Sequence, residues 1–146
     1  MTIEFGKIPS EKLSEVMALL TLANLPVNDI GENVELFALE TNEQIIATAG
    51  LEINGLIGLM RSVSVLDSQK GKGYGLLIVQ NLEKYAEKQG IKELYLLTTT
   101  AKGFFEKRCN YEVIERTNAP TEIQSSQQFA SVCPSSAVVM KKVIQS

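Results

Sequence analysis

The segment Lys70-Gly71-Lys72-Gly73-Tyr74-Gly75 sets glycines at every second position, between the β-branched stretch Val63-Ser64-Val65 and an amphipathic stretch that opens at Gly75. Without Cβ, such a backbone can take positive φ and approach a ligand closely. A helix starting here adds unpaired N–H groups and the positive end of its dipole, and Lys70 and Lys72 add charge, so the loop suits a pyrophosphate. Two further chemical groups, Glu52 and Arg61, lie on apolar stretches joined by Asn54-Gly55. If Asn54-Gly55 forms a two-residue turn, Ile53 pairs with Leu56, Glu52 with Ile57 and Thr48 with Arg61. Side chains 48, 52, 57 and 61 then share one sheet face, with Glu52 and Arg61 four residues, roughly 13 Å, apart.

The elements that must carry these groups follow from periodicity and punctuation. Strands are predicted over Ile3–Ile8, Val34–Leu39, Gln44–Ile53, Leu56–Leu66, Leu94–Thr98, Tyr111–Glu115 and Ala137–Ile144. Ser10 is the predicted N-cap of a helix that carries Leu13, Val16, Met17 and Leu20 on one face, and Pro26 closes that segment. A second helix runs from about Gly75 to Gln89, buries Ile78, Leu82, Tyr85 and Ala86, and stops at Gly90. A third, Ala101–Arg108, has Thr100 as its cap and Lys107 and Arg108 at its C-terminal end, with Asn110 in the left-handed region beyond. Thr121–Val132 reads as a helical turn or two. The order is mixed α+β.

The 146 residues carry a formal net charge of −3, two cysteines and no histidine. They fit one domain, residues 1–146, with no internal repeat, linker or apolar run long enough to span a membrane. The first ten residues lack the basic start and apolar stretch of a signal peptide, so a cytoplasmic protein with no membrane partner is expected. The net charge argues against a nucleic-acid surface. Cys109 and Cys133 form no metal-ligand spacing and have no histidine to join them, so no metal is expected. Cys-His and Ser-His-Asp nucleophiles are excluded outright.

Three phosphate-loop patterns compete. A Walker A loop requires a spacing that Gly71–Leu76 lacks, and the dinucleotide fingerprint requires its third glycine one place later. The third pattern is Arg/Gln-x-x-Gly-x-Gly/Ala after a Val-x-Val strand, and the sequence fits it with Lys70 at the first position. A glycine-rich turn that holds no ligand is the competing structural explanation. The third pattern resembles the acetyl-CoA loop of the GCN5-related N-acetyltransferase (GNAT) superfamily. Gly50-Leu51-Glu52, Leu59-Met60-Arg61-Ser62-Val63, the Tyr95–Thr100 strand, Phe104-Phe105 and Cys133-Pro134-Ser135-Ser136-Ala137 are similar to one subgroup of it. Members of that subgroup accompany arsenic-resistance genes and are called amino-acid N-acetyltransferase-like. The similarity runs from about Gly50 to Val143.

This resemblance implies a central mixed, mostly antiparallel sheet of about six to seven strands flanked by helices. It implies acetyl-CoA as co-substrate, bound by Val63, Ser64 and Val65 as an added strand would be and by Lys70, Gly71, Lys72, Gly73, Tyr74, Gly75 and Leu76 around its pyrophosphate. The Val65 amide would stabilise the developing oxyanion, Glu52 would take a proton from the acceptor amine directly or through water, and Arg61 and Thr98 would contact the acceptor. A solvated residue near a hairpin tip is the competing reading of Glu52, a structural ion pair that of Arg61, and β-propensity plus helix capping that of Thr98. The expected activity is direct acetyl transfer to a small-molecule amine, an amino acid or amino-acid-like toxin. Alternatives are a CoA-binding module with weak or no catalysis and a protein N-acetyltransferase. Many relatives place a Tyr on the helix after the fifth strand as general acid; here that helix reads Phe104-Phe105-Glu106. Water, Thr98 to Thr100 and Ser135 are the substitutes considered. A homodimer is expected by resemblance alone.

Overall fold

The computed structural model describes residues 3–23, 25, 34–42, 44–99, 101–124 and 137–145. Its strands are β1 (Glu4–Lys7), β2 (Val34–Thr41), β3 (Gln44–Asn54), β4 (Ile57–Val65), β5 (Glu93–Thr98), β6 (Glu112–Ile114) and β7 (Val138–Val143). The helices are α1 (Leu13–Leu22), α2 (Tyr74–Lys88), α3 (Lys102–Arg108) and α4 (Thr121–Gln124). The strands form one seven-stranded sheet in the order β1-β2-β3-β4-β5-β7-β6. Every pairing is antiparallel except β4 with β5.

Both faces of the sheet are covered, which is why β2 and β3 are nearly continuous apolar runs. Along β2, Leu36 and Ala38 pack with Val16 and Leu20 of α1, while Phe37 and Leu39 join the core under α2. That core takes Ile78, Val79, Leu82 and Ala86 from one face of α2. A third cluster joins Leu59 and Tyr95 to Ala119 and Ile123 of the α4 region, and Val139 to both.

The turn between β3 and β4 differs from expectation. Positive φ falls on Gly55 (65°) and not on Asn54, so Asn54-Gly55 does not form the central pair, which would need both residues in that region. Gly55-Leu56 becomes the loop instead, Asn54 pairs with Ile57, and Glu52 faces Leu59 rather than Ile57. Arg61 lies opposite Gly50, so Glu52 and Arg61 are diagonal neighbours on one face and not four residues apart. Thr48 lies opposite Ser64, because the register slips between Thr48 and Gly50. The extra residue falls in β4, where Ser62 is buried at φ 58°. Two residues of β4, Ser62 and Val63, thus stand against Ala49 alone, the pattern of a β-bulge.

Other boundaries moved less. Ser10 does not cap α1: it opens a 3₁₀ turn, Ser10–Lys12, that Pro9 precedes in extended conformation, and Lys12 holds the N-cap of α1 without a side-chain cap bond. Helix α2 ends as expected before Gly90, at φ 86°, and Asn110 takes φ 65°. β6 is shorter than predicted because Tyr111 is buried and its N–H donates to the Phe105 carbonyl (3.0 Å). Thr100 and the stretch from Ser125 to Val132 lie outside the described residues, as do Pro26, Cys133 and Ser135.

β4 and β5 touch through three residue pairs only: Ile57 with Glu93, Gly58 with Leu94, Leu59 with Tyr95. A Cβ on Gly58 would stand 2.8 Å from Leu94 Cδ2 and 3.0 Å from Leu51 Cδ1. Gly58→Ala is therefore expected to lower the unfolding free energy by about 1–3 kcal/mol in urea titrations, whereas Gly6→Ala, which meets nothing within 4 Å, is expected to spare it. Equal midpoints for the two variants would contradict this account of the junction.

Candidate functional site

Beyond Leu59, β4 continues for six residues that have no β5 partner, while β5 turns to β7 for its remaining bonds. A parallel pair that separates in this way leaves backbone donors and acceptors on the inner edge of β4. Their direction follows from the bonds on the other edge. The Leu66 N–H donates to the Ile46 carbonyl on the β3 side (2.9 Å), so alternation along the strand turns the N–H of Val65 toward the opening.

The glycine loop lies at the end of this edge. Gly71 and Gly73 sit at φ 83° and 85°, conformations open to glycine at little cost. Gly73 is the N-cap of α2, with no side-chain bond to the helix's first amides, so the start of this 15-residue helix presents N–H groups and positive dipole to whatever lies in the loop. Gly75 leaves room for Phe104, whose ring would be 3.3 Å from an added Cβ.

Edge and loop line one cavity of about 770 Å³. Val63, Ser64, Val65, Lys70, Gly71, Gly73, Tyr74, Gly75 and Leu76, all expected at the cofactor site, are brought together in its wall. Lys72 is not in that wall; its ammonium donates to Gln69 Oε1 (3.2 Å). Lys70 pairs with Asp67 (3.0 Å), both exposed, a contact worth little in stability. Sequence reading missed the opposite wall, where α3 contributes Phe104, Lys107 and Arg108. Those cations read as helix-dipole partners, and only the fold reveals that they line the same cavity as the glycine loop.

On the α1 face of the sheet, Glu52, Arg61, Thr48 and Ser62 form a second group. Arg61 Nη1 donates to Glu52 Oε2 at 3.2 Å, and Arg61 Nε donates to Ser62 Oγ at 3.3 Å. The Arg61 side chain is 0% exposed and that of Glu52 15%. Gly50 makes room for this arrangement, since a Cβ there would lie 3.2 Å from Arg61 Cγ. The expected 13 Å separation is therefore corrected: the two charges are in contact, because the register and the bulge bring Arg61 beside Glu52. Thr98 belongs to neither group; it does not line the cavity, and its hydroxyl accepts the Ala101 N–H (2.9 Å) just before α3.

Cys109 is a buried free thiol. Burial first, then the Glu83 carboxylate, push it from its ordinary value of 9.0 up to about 11, with Lys142 opposing, so it is no thiolate nucleophile at neutral pH. Tyr85 is pushed up to about 12, chiefly by its hydrogen bond to Glu35. Tyr95 and Tyr111 are raised as well, mainly by burial, and they donate to Glu93 and Glu83. No cluster of metal-ligand type is found among the described residues, and none of their helices is long and apolar enough to cross a membrane.

The separated pair of parallel strands and the glycine loop at a helix start form the arrangement expected of the family that the sequence resembles. Comparison with known proteins agrees. The acetyltransferase (GNAT) family model matches residues 9–111, and the chain belongs to that family. An uncharacterised N-acetyltransferase of Chlorobaculum tepidum is 30% identical over 99 residues, 66% of this chain and 63% of that protein, so the match covers less than two thirds of the relative. Among solved structures, N-acetylglutamate synthase of Neisseria gonorrhoeae, complexed with coenzyme A and N-acetylglutamate, superposes with TM-score 0.84 at 14% identity. That match covers 100% of this chain and 36% of the synthase. The ribosomal-protein-S18-alanine N-acetyltransferase of Escherichia coli gives TM-score 0.72 at 15% identity, over 99% of this chain and 96% of that one. These two likenesses establish the fold alone, seven strands flanked by helices as the sequence implied.

All four raised groups favour their protonated forms in the folded state. Their contribution to stability is present below the ordinary values, 9.0 for Cys and 10.0 for Tyr, and is lost as pH rises through the folded ones, about 11 for Cys109 and 12 for Tyr85. The unfolding free energy from denaturant titrations is expected to decline from about pH 9 upward. Iodoacetamide should leave Cys109 unmodified in the folded protein at pH 8, by peptide mass mapping. Rapid native-state labelling at Cys109 would contradict its burial.

Proposed function

We propose that this chain is an acetyl-CoA-dependent N-acetyltransferase that transfers acetyl directly to the amine of a small molecule, an amino acid or amino-acid-like toxin. The observation that carries this reading is the unpaired inner edge of β4 leading into the glycine loop within one cavity. The cavity fits the co-substrate: a chain of amides suits the pantetheine arm, as in strand addition, and positive-φ glycines at a helix start suit the pyrophosphate. In this assignment Val63, Ser64 and Val65 hold the arm, and Lys70, Gly71, Gly73, Tyr74, Gly75 and Leu76 hold the pyrophosphate, with Lys72 adding charge nearby. Acetyl-CoA supplies the acetyl group as a thioester, already reactive toward an amine.

The chain's own groups do the rest. The N–H of Val65 donates to negative charge that develops during transfer. Glu52 accepts the proton that an ammonium must lose, directly or through water. Arg61, buried beneath it, is assigned to holding the Glu52 carboxylate rather than to gripping the acceptor, and Thr98 to starting α3. Direct transfer fits a chain whose one described cysteine is a buried, protonated thiol in the core.

A second reading, a CoA-binding module with weak or no catalysis, draws support from α3, which offers the cavity Phe104 and Phe105 and carries no hydroxyl. Ser64 and Tyr74 carry the hydroxyls among the described lining residues. Acetyl transfer followed by mass spectrometry over a panel of amino acids, amino-acid analogues, other small amines and peptide N-termini separates the readings. Turnover of a small amine, with Glu52→Gln lowering kcat by about 10²–10⁴, is expected. CoA binding without acetylation of any amine would favour the module, and acetylation of peptides alone the protein acetyltransferase.

A further inference from the structure

We infer that Thr48, on β3 and outside the cofactor cavity's wall, is a positioning residue that aims the Val63 N–H into the acyl-transfer cleft by holding the Ser62 carbonyl. The inference rests on the proposed function for its catalytic meaning and on geometry for its structural one. Thr48 is 2% exposed, and its hydroxyl donates to the Ser62 carbonyl oxygen at 2.9 Å. That carbonyl belongs to the same peptide unit as the Val63 N–H. The unit is trans, so its C=O and N–H bonds point in opposite directions. Fixing the carbonyl toward β3 therefore turns the N–H away from β3, to the side where β5 has diverged.

A bulge makes such a hold necessary. Regular ladder bonds would orient this peptide in an ordinary antiparallel pair, but the extra residue leaves it outside the ladder. Ser62 is a non-glycine residue at φ 58°, a conformation that costs free energy and persists only when its surroundings impose it. The surroundings here are specific. Thr48 takes the carbonyl, Arg61 Nε takes the hydroxyl, and Glu52 anchors Arg61 from the adjacent strand. Of these, Thr48 alone acts on the peptide that carries a cleft-facing donor. Its β-branched side chain has few rotamers, which fixes the hydroxyl's direction.

Thr48→Val keeps shape and branching and removes the donor; Thr48→Ser keeps the donor. In Thr48→Val, KM for acetyl-CoA is expected to rise about 3- to 10-fold, the scale of one hydrogen bond to the arm, while kcat stays within about twofold. Thr48→Ser is expected to recover KM to within about twofold. Unchanged KM in Thr48→Val, or an equal rise in Thr48→Ser, would overturn the inference. An activity-independent readout accompanies it: in ¹⁵N–¹H spectra, Thr48→Val should move the Val63 amide and leave those of α2 in place. A Val63 amide at its wild-type position would overturn the inference even if no acceptor is found. Absence of turnover in the wild type would count against the proposed function instead. If Thr48→Val does not fold, Thr48→Ala carries the same expectations.

Discussion

The structure turns on the parting of β4 from β5. Three residue pairs hold these parallel strands together, and past them each goes its own way, β5 to β7 and β4 along β3. A strand edge abandoned in the middle of a sheet is costly unless something pairs with it, because its N–H and C=O groups must bond to water or to a ligand. Here it borders a cavity instead of being covered by another strand, and the cavity ends on a helix start whose amides are also unclaimed by side chains. Edge and helix start are two sets of backbone donors aligned in sequence, separated by the short turn through Asp67–Gln69.

The bulge at Ser62 sits at the beginning of the separated stretch, and the polar group around it explains how a strained residue survives in a buried position. The Glu52–Arg61 pair costs desolvation, and a buried pair of this kind is often no more stabilising than apolar packing. Its value here is orientation: Arg61 reaches the Ser62 hydroxyl while Gly50 leaves space for its stem. Thr48 completes the hold from β3. The same face thus carries both the charge assigned to the acceptor amine and the scaffold that shapes the strand edge behind it.

Much of this was legible in the sequence. Alternating glycines after Val63-Ser64-Val65 marked the loop, and Gly90 and Asn110 marked ends that the fold places at positive φ. Resemblance to the GNAT family came from the motifs on either side, and family membership bears it out. The bulge was not legible, because Arg61-Ser62-Val63 contains no glycine or proline to signal a break in alternation. Its absence from the reading, together with the turn at Gly55-Leu56, produced the wrong separation of Glu52 and Arg61. Contacts between distant elements were equally hidden: Lys107 and Arg108 read as ordinary helix-end cations until the fold set them opposite the loop.

The central claim is that the open edge of β4 and the glycine loop together bind coenzyme A. Titrating CoA into ¹⁵N-labelled protein tests it most directly. Saturable shifts at the amides of Val63, Val65 and Gly71 to Leu76, with β1 and β6 unmoved, are what this account predicts. Shifts confined to other elements, or none at millimolar CoA, would contradict it.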